Sequence, residues 1–125
     1  VSNIFSGVFL YQNIDSPPPE IFSQTPSPKS VAVRPETELS IRYDQDVFVN
    51  QGLIQVINLA NPLDSRSIAV TDASVTIAGA LMTITLDTPL ASDSDYEVLI
   101  ASGAVLDSDG QASPPIQSGD WVFST

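Results

Sequence analysis

The sequence contains no cysteine and no histidine. Their absence excludes thiol nucleophiles, disulfide bonds, zinc sites of the usual kind and a serine triad that relies on an imidazole base. Most familiar hydrolase chemistry is excluded with them. A lack of cysteine suits an exported bacterial protein that is stable without oxidative help, although a cytosolic domain could equally lack it.

Basic residues are scarce as well. Four lysines and arginines stand against fifteen aspartates and glutamates, and the formal net charge is -11. Nucleic acid would meet a surface of its own sign, so we exclude it as a partner, and anionic membranes are disfavoured for the same reason. No stretch approaches the roughly 20 apolar residues of a membrane-spanning helix, and we expect no membrane insertion.

What the sequence does contain is typical of one folded domain. Its 125 residues suit a single domain, and the apolar share of 42% is close to that of globular proteins. The ten prolines and six glycines are spread along the chain as turn residues. We therefore expect an ordered domain with one core, not a disordered acidic tail.

The N-terminal part of the chain is expected to lie outside that domain. Three consecutive prolines at 17–19 stiffen the chain toward polyproline II. We assign residues 1–19 to a strand and proline-rich linker from a preceding module, and residues 20–125 to the domain itself. The apolar cluster within residues 7–12 has a second interpretation, in which it pairs with a sheet edge of this or a neighbouring chain. A start at Val1 without a leader segment predicts a fragment of a longer protein.

The rest of the chain shows the alternation of half-buried strands and no helical period. Leu39, Ile41 and Tyr43 share one face of a predicted strand, while the residues between them share the other. Two further alternating stretches flank Ala78-Gly79-Ala80, where glycine supplies the positive φ of a tight turn. This pattern predicts an antiparallel hairpin.

The remaining strands are short. Residues 53–59 are apolar in both phases, which suits a strand covered on both faces or an edge covered in part by loops. Residues 66–71, 96–100 and 121–123 predict further strands. Short strands at intervals of about ten residues are typical of an immunoglobulin-like Greek-key β-sandwich. We predict an all-β fold of seven to eight antiparallel strands, with a core that includes Ile41, Ile84, Val98 and Phe123.

Two aromatic residues are candidate functional groups. Tyr96 follows Leu90 across a polar turn, a spacing that predicts a tyrosine corner in which the hydroxyl bonds back to the turn. Trp121 would offer a sugar-stacking platform if it were exposed. Because it alternates with Phe123 in a predicted strand, we expect it to lie in the core.

Acidic residues concentrate in predicted loops. Asp107 and Asp109 precede Gly110 in a short fragment of the pattern that oxygen-ligand calcium loops use. In an immunoglobulin-like order that loop shares an end of the sandwich with Asp44 and Asp46, near the linker. We therefore predict that these four carboxylates can hold a Ca²⁺ ion, with a solvated acidic rim as the alternative. Glycoside hydrolysis by paired carboxylates is disfavoured, because every pair lies in a turn without a predicted cleft.

Several packing and turn motifs carry a resemblance to a known family. They are Pro26-Ser27-Pro28, the strand of Leu39 with its continuation Asp44-Gln45-Asp46-Val47, Met82-Thr83-Ile84, Pro89-Leu90 ahead of Tyr96, the 105–110 loop, and Trp121-Val122-Phe123. On these residues, 18–125 resembles a bacterial immunoglobulin-like domain of the type found in S-layer proteins. It departs from that pattern in having Tyr43-Asp44 where a phenylalanine-serine pair is common.

The resemblance implies a repeated module of cell-surface proteins, adhesins, S-layers or appendages of secreted polysaccharide-degrading enzymes, and it supplies no catalytic residue. We expect a non-enzymatic structural or adhesive module that spaces or presents neighbouring domains of the same polypeptide. The alternative is a carbohydrate- or protein-ligand-binding module appended to a secreted enzyme, with a cell-surface protein or glycan as its partner. Either role implies export to the cell surface or the extracellular space, with no required cofactor.

Overall fold

The structure, a computed structural model, describes residues 17–125 and contains strands, turns and loops but no helix within that range. The interpretations of residues 1–16, including the pairing of residues 7–12, lie outside the described residues. Ten strands follow one another in the described range: β1 (Ile21–Thr25), β2 (Leu39–Tyr43), β3 (Phe48–Val49), β4 (Leu53–Asn58), β5 (Ser65–Ala69), β6 (Val75–Ala78), β7 (Leu81–Ile84), β8 (Asp95–Ile100), β9 (Val105–Leu106) and β10 (Val122–Ser124).

Two four-stranded antiparallel sheets contain most of these strands. One has the spatial order β1-β2-β7-β6, and the other has the order β10-β8-β4-β5. The two-residue strands β3 and β9 form a separate antiparallel pair. The expected all-β sandwich is confirmed, with eight strands in its two main sheets and this small pair in addition. With no helix among residues 17–125, that part of the chain offers none that could cross a membrane.

The alternation read from the sequence decides which side chains enter the core. Leu39 and Ile41 of β2 are fully buried, and they join Val56 and Val98 of the other sheet in one apolar cluster. The register places Val56 directly opposite Val98. Since side chains alternate across a strand, the same register keeps the intervening residues on the outer faces.

The hairpin of β6 and β7 forms as predicted, and its turn has Gly79 at a φ of 62°. Positive φ is readily adopted by glycine because it lacks a Cβ atom. The strand predicted at residues 66–71 begins and ends slightly earlier, at Ser65–Ala69.

Both interpretations of residues 53–59, a strand covered on both faces and an edge covered in part by loops, are wrong. β4 is an inner strand, with Ile54, Val56 and Asn58 buried on one side. On the other side Leu53 is 51% exposed, because only one face of this sheet packs on the core. Apolar residues in both phases therefore do not distinguish a doubly covered strand from one with an apolar outer face.

The described chain enters and leaves the sandwich at opposite ends. The entering residues 18–21 line a surface depression together with Ser102, just beyond the end of β8. At the other end, Thr125 N–H donates to Ser94 O at 2.9 Å, immediately before β8 begins. The six residues of β8 separate these points by roughly 20 Å at about 3.3 Å per residue.

We expect Leu39→Ala to lower the free energy of unfolding by about 2–5 kcal/mol, because it leaves a cavity in a fully packed core. Leu63 is the matched control, since it is the same residue type and is 95% exposed. Leu63→Ala is expected to change stability by less than about 0.5 kcal/mol. Urea denaturation of both variants measures the difference, and equal losses would contradict this assignment of the core.

Candidate functional site

The tyrosine corner predicted before β8 is confirmed. Tyr96 is buried, and its hydroxyl accepts a hydrogen bond from the Ala91 backbone N–H at 2.8 Å. The hydroxyl also donates to Asp64 Oδ2 at 2.6 Å. Asn58 Nδ2 donates to the same carboxylate oxygen at 3.1 Å. These side chains join the β4–β5 loop to the turn that precedes β8.

Sequence reasoning missed two members of this network, Asn58 and Asp64. Asn58 ends β4, and its Oδ1 accepts the backbone N–H groups of Ala60 and Asn61, each at 3.0 Å. A signal was present, since asparagine commonly bonds to the backbone two or three residues further on and so starts a turn. That this turn meets the tyrosine corner follows only from the pairing of β4 with β8.

The electrostatics of the corner favour a structural role. Hydrogen bonds from Tyr96 and then Asn58 lower the pKa of Asp64, and the nearby positive charge of Arg66 acts in the same direction. Burial, followed by the hydrogen bond to Asp64, raises the pKa of Tyr96. At neutral pH the carboxylate is therefore an ionised acceptor and the phenol a protonated donor. Neither group is poised to transfer a proton.

Trp121 lies in the core, as expected, and a sugar-stacking role for it is wrong. Its side chain is fully buried, and its indole Nε1–H donates to the Pro26 carbonyl at 2.7 Å. A stacking platform requires an exposed ring face. The large exposed aromatic side chains in the described part of the chain are Phe22 and Phe48, neither of which the sequence singled out.

Two of the four predicted calcium ligands lie near the entrance of the chain. Asp44 Oδ1 accepts the Glu20 backbone N–H at 3.0 Å, while Glu20 O accepts the Asp44 N–H at 2.9 Å. Asp46 lies beside the β6–β7 turn, where a Cβ atom on Gly79 would be 3.5 Å from its Oδ1. Asp44 therefore extends the pairing of β1 with β2, and Asp46 faces a different hairpin.

The other two lie in the turn after β9. Asp107 is buried, and its Oδ1 accepts the backbone N–H groups of Asp109 and Gln111 at 2.9 and 2.8 Å. Asp107 Oδ2 and Gln111 Oε1 are also buried, with no hydrogen-bond partner among residues 17–125. Sequence reasoning missed Gln111, because it considered only the carboxylates of this loop.

The described structure does not gather the four aspartates into one metal-binding group. Within residues 17–125, no three acidic side chains lie close enough together to hold a metal ion. Calcium usually takes six to eight oxygen ligands. Calcium binding by Asp44, Asp46, Asp107 and Asp109 therefore stays a prediction for measurement in solution.

An apolar concave surface lies between β3 and the edge strand β6. We call it the apolar groove. Its volume is about 500 Å³. Phe48 and Val49 are 54% and 50% exposed there, and Val75 and Ile77 are half-buried. The apolar side chains that line it are Val47, Phe48, Val49, Val70, Val75 and Ile77.

In a comparison with protein families, residues 15–125 match the bacterial Ig-like domain. Domains of this family are typically modules of larger bacterial surface proteins, and they are generally non-catalytic. The comparisons with curated proteins and with solved structures gave no match.

Asp64→Asn is expected to destabilise the protein at pH 7, and the loss of stability is expected to become smaller as the pH falls. The pKa of Asp64 is lowered in the folded state, so its contribution is present above the unfolded pKa of about 3.9 and is lost as the pH falls through the folded value. Urea midpoints at pH 7 and at about pH 2.5 test this. Asp87→Asn, which removes an exposed carboxylate, is the control for the lower overall charge. A difference in urea midpoint between Asp64→Asn and wild type that stayed constant with pH would contradict this role of the Asp64 carboxylate.

Calcium bound at any of the predicted aspartates, Asp44, Asp46, Asp107 or Asp109, is expected to raise the unfolding midpoint of the protein. A ligand at 100 times its Kd adds about 2.7 kcal/mol to the stability of the state that binds it. Thermal melts in millimolar calcium, in magnesium and in chelator measure the effect, and Asp109→Asn should reduce it. Identical unfolding midpoints in calcium and in chelator would contradict the prediction.

Proposed function

We propose, since the chain belongs to the bacterial Ig-like domain family, that it is a non-catalytic structural module which spaces or presents neighbouring domains of a larger surface or secreted protein. The adjoining domains are its first partners in this proposal, and a cell-surface protein or glycan is a further one. An S-layer or adhesin is the kind of parent protein that the sequence motifs favour.

The observation that carries this proposal is the path of the chain through the sandwich. Residues 18–21 enter beyond the end of β8, and Thr125 lies before its start. Domains attached at these two points would be held apart by the length of the strands. A module whose two connections emerged at the same end would instead bring its neighbours together.

The hydrogen bonds between residues 29–33 and β10 suit a module that resists tension between its two chain ends. The segment 29–33 runs parallel to β10: Lys29 N–H donates to Val122 O at 2.5 Å, and Val33 N–H donates to Ser124 O at 3.0 Å. Ser124 N–H in turn donates to Ser30 O at 2.9 Å. Tension between the ends would slide this segment along β10, so these bonds would be loaded together and not one after another.

The buried polar groups support a non-catalytic role. Glu97 Oε1 accepts the Ser118 hydroxyl and the Gly119 N–H at 2.9 and 3.0 Å, and Asp107 Oδ1 likewise accepts two backbone N–H groups. Burial raises the pKa of Tyr43 to about 12, so its phenol stays protonated at neutral pH. These groups stabilise loops and the core. A general acid or base would instead have to be accessible to a substrate.

A ligand-binding module remains the alternative, and the exposed Phe48 beside the apolar groove favours it. Aromatic rings with a free face stack on sugars and apolar peptide side chains. Binding on a glycan array that disappears in Phe48→Ser would favour this alternative. An array without binding would leave the spacer as the better account.

For the spacer, we expect a higher unfolding force when the chain is pulled through residues 17 and 125 than when it is pulled across a hairpin. The first geometry loads the terminal strands along their length, while the second opens hydrogen bonds in sequence. Because the sequence has no native cysteine, single cysteines can serve as handles without a background. Ala73 and Thr85, which are exposed beside the open end of the β6–β7 hairpin, provide the comparison. Equal forces in a single-molecule measurement would contradict a load-bearing role.

A further inference from the structure

The apolar groove exposes the kind of surface that soluble domains usually cover. Phe48 and Val49 each leave about half of their surface in water, at 54% and 50% exposure. One wall of the groove is β6, the outer strand of its sheet, and no other strand of residues 17–125 pairs with its free side. An apolar surface beside a free strand edge is a site where an extended segment can add by backbone pairing.

The first described residue, Pro17, contacts the segment that leads from β2 into the groove wall. Gln45 Nε2 donates to the Pro17 carbonyl at 3.0 Å, and the backbone of Glu20 pairs with Asp44. Asp46, the next residue after Gln45, is part of the groove wall. Pro17 is therefore held beside Gln45, one residue along the chain from the groove wall at Asp46.

The sequence before Pro17 has the chemistry of an occupant. Residues 7–12 read Gly-Val-Phe-Leu-Tyr-Gln, with four consecutive apolar side chains, and residues 1–14 carry no charge. An uncharged segment avoids the repulsion that an acidic one would meet on a protein of net charge -11. The connecting residues 13–16 can extend over roughly 14 Å, enough to pass Asp46 and run along β6.

We propose that residues 7–12 of the same chain lie in the apolar groove as an extended segment alongside β6. The four apolar residues match the four residues of β6 in length. Alternate side chains of the segment would cover Phe48, Val49 and Ile77, and its backbone would occupy the free edge of β6. This inference concerns the domain itself and does not depend on the spacer role.

Disulfide trapping in the full chain tests the proposal directly. Thr76 is exposed on β6, and Thr76→Cys is combined in turn with a cysteine at each of positions 8 to 11. We expect an intramolecular disulfide to form at least about tenfold faster at alternate positions than at the positions between, because docking raises the local concentration above that of a flexible tether. Non-reducing electrophoresis and mass spectrometry identify the product.

Phe22→Cys provides the matched control, since Phe22 is 73% exposed on β1, at the opposite edge of the same sheet. Equal rates for pairs with position 22 and with position 76 would overturn the proposal. Disulfide-linked dimers as the main product at low protein concentration would overturn it in favour of a second copy of the chain as the occupant.

A second measurement avoids engineered cysteines. Phe9→Asp should lower the urea midpoint of the full chain and shift the backbone amide resonances of β3 and β6, because a carboxylate would be placed against the apolar groove. Phe5→Asp adds the same charge outside residues 7–12 and should leave both unchanged. Identical spectra and midpoints for the two variants would refute docking of the segment.

Discussion

Each strand of the two main sheets has to bury alternate side chains in one shared core, and the rest of the domain depends on this requirement. Ile41 from one sheet and Val98 from the other meet there completely shielded from water. A slip of one residue in either strand would turn its apolar face outward. The core therefore holds the register, and the register decides which loops meet at each end of the sandwich.

Much of this architecture is legible in the sequence because strand alternation is a local property. The buried faces of β2 and β8, the β6–β7 turn and the tyrosine corner all depend on residues only a few positions apart. The partnership of Asp64 with Tyr96 could not be predicted in the same way, since 32 residues separate them. Leu53 was misjudged for a related reason: an apolar residue in a strand does not reveal whether a second layer covers it.

The same distinction explains why the candidate sites were harder to foresee than the fold. Carboxylates in turns look alike in a sequence, whether they bind an ion or hold the backbone. In the structure, Asp107 directs one oxygen to two backbone N–H groups, and Asp44 pairs with the chain entrance at Glu20. The apolar groove was not foreseen, because its walls come from strands that are separated by two others along the chain. Family membership describes the scaffold and leaves such surfaces to be assigned individually.

The burial of Trp121 has a practical consequence. It is the only tryptophan in the chain, and its indole N–H bonds to the carbonyl of Pro26, which directly follows β1. An indole enclosed in apolar surroundings fluoresces at shorter wavelength than one in water. The intrinsic emission of this domain therefore reports, without any label, whether its first and last strands are still together.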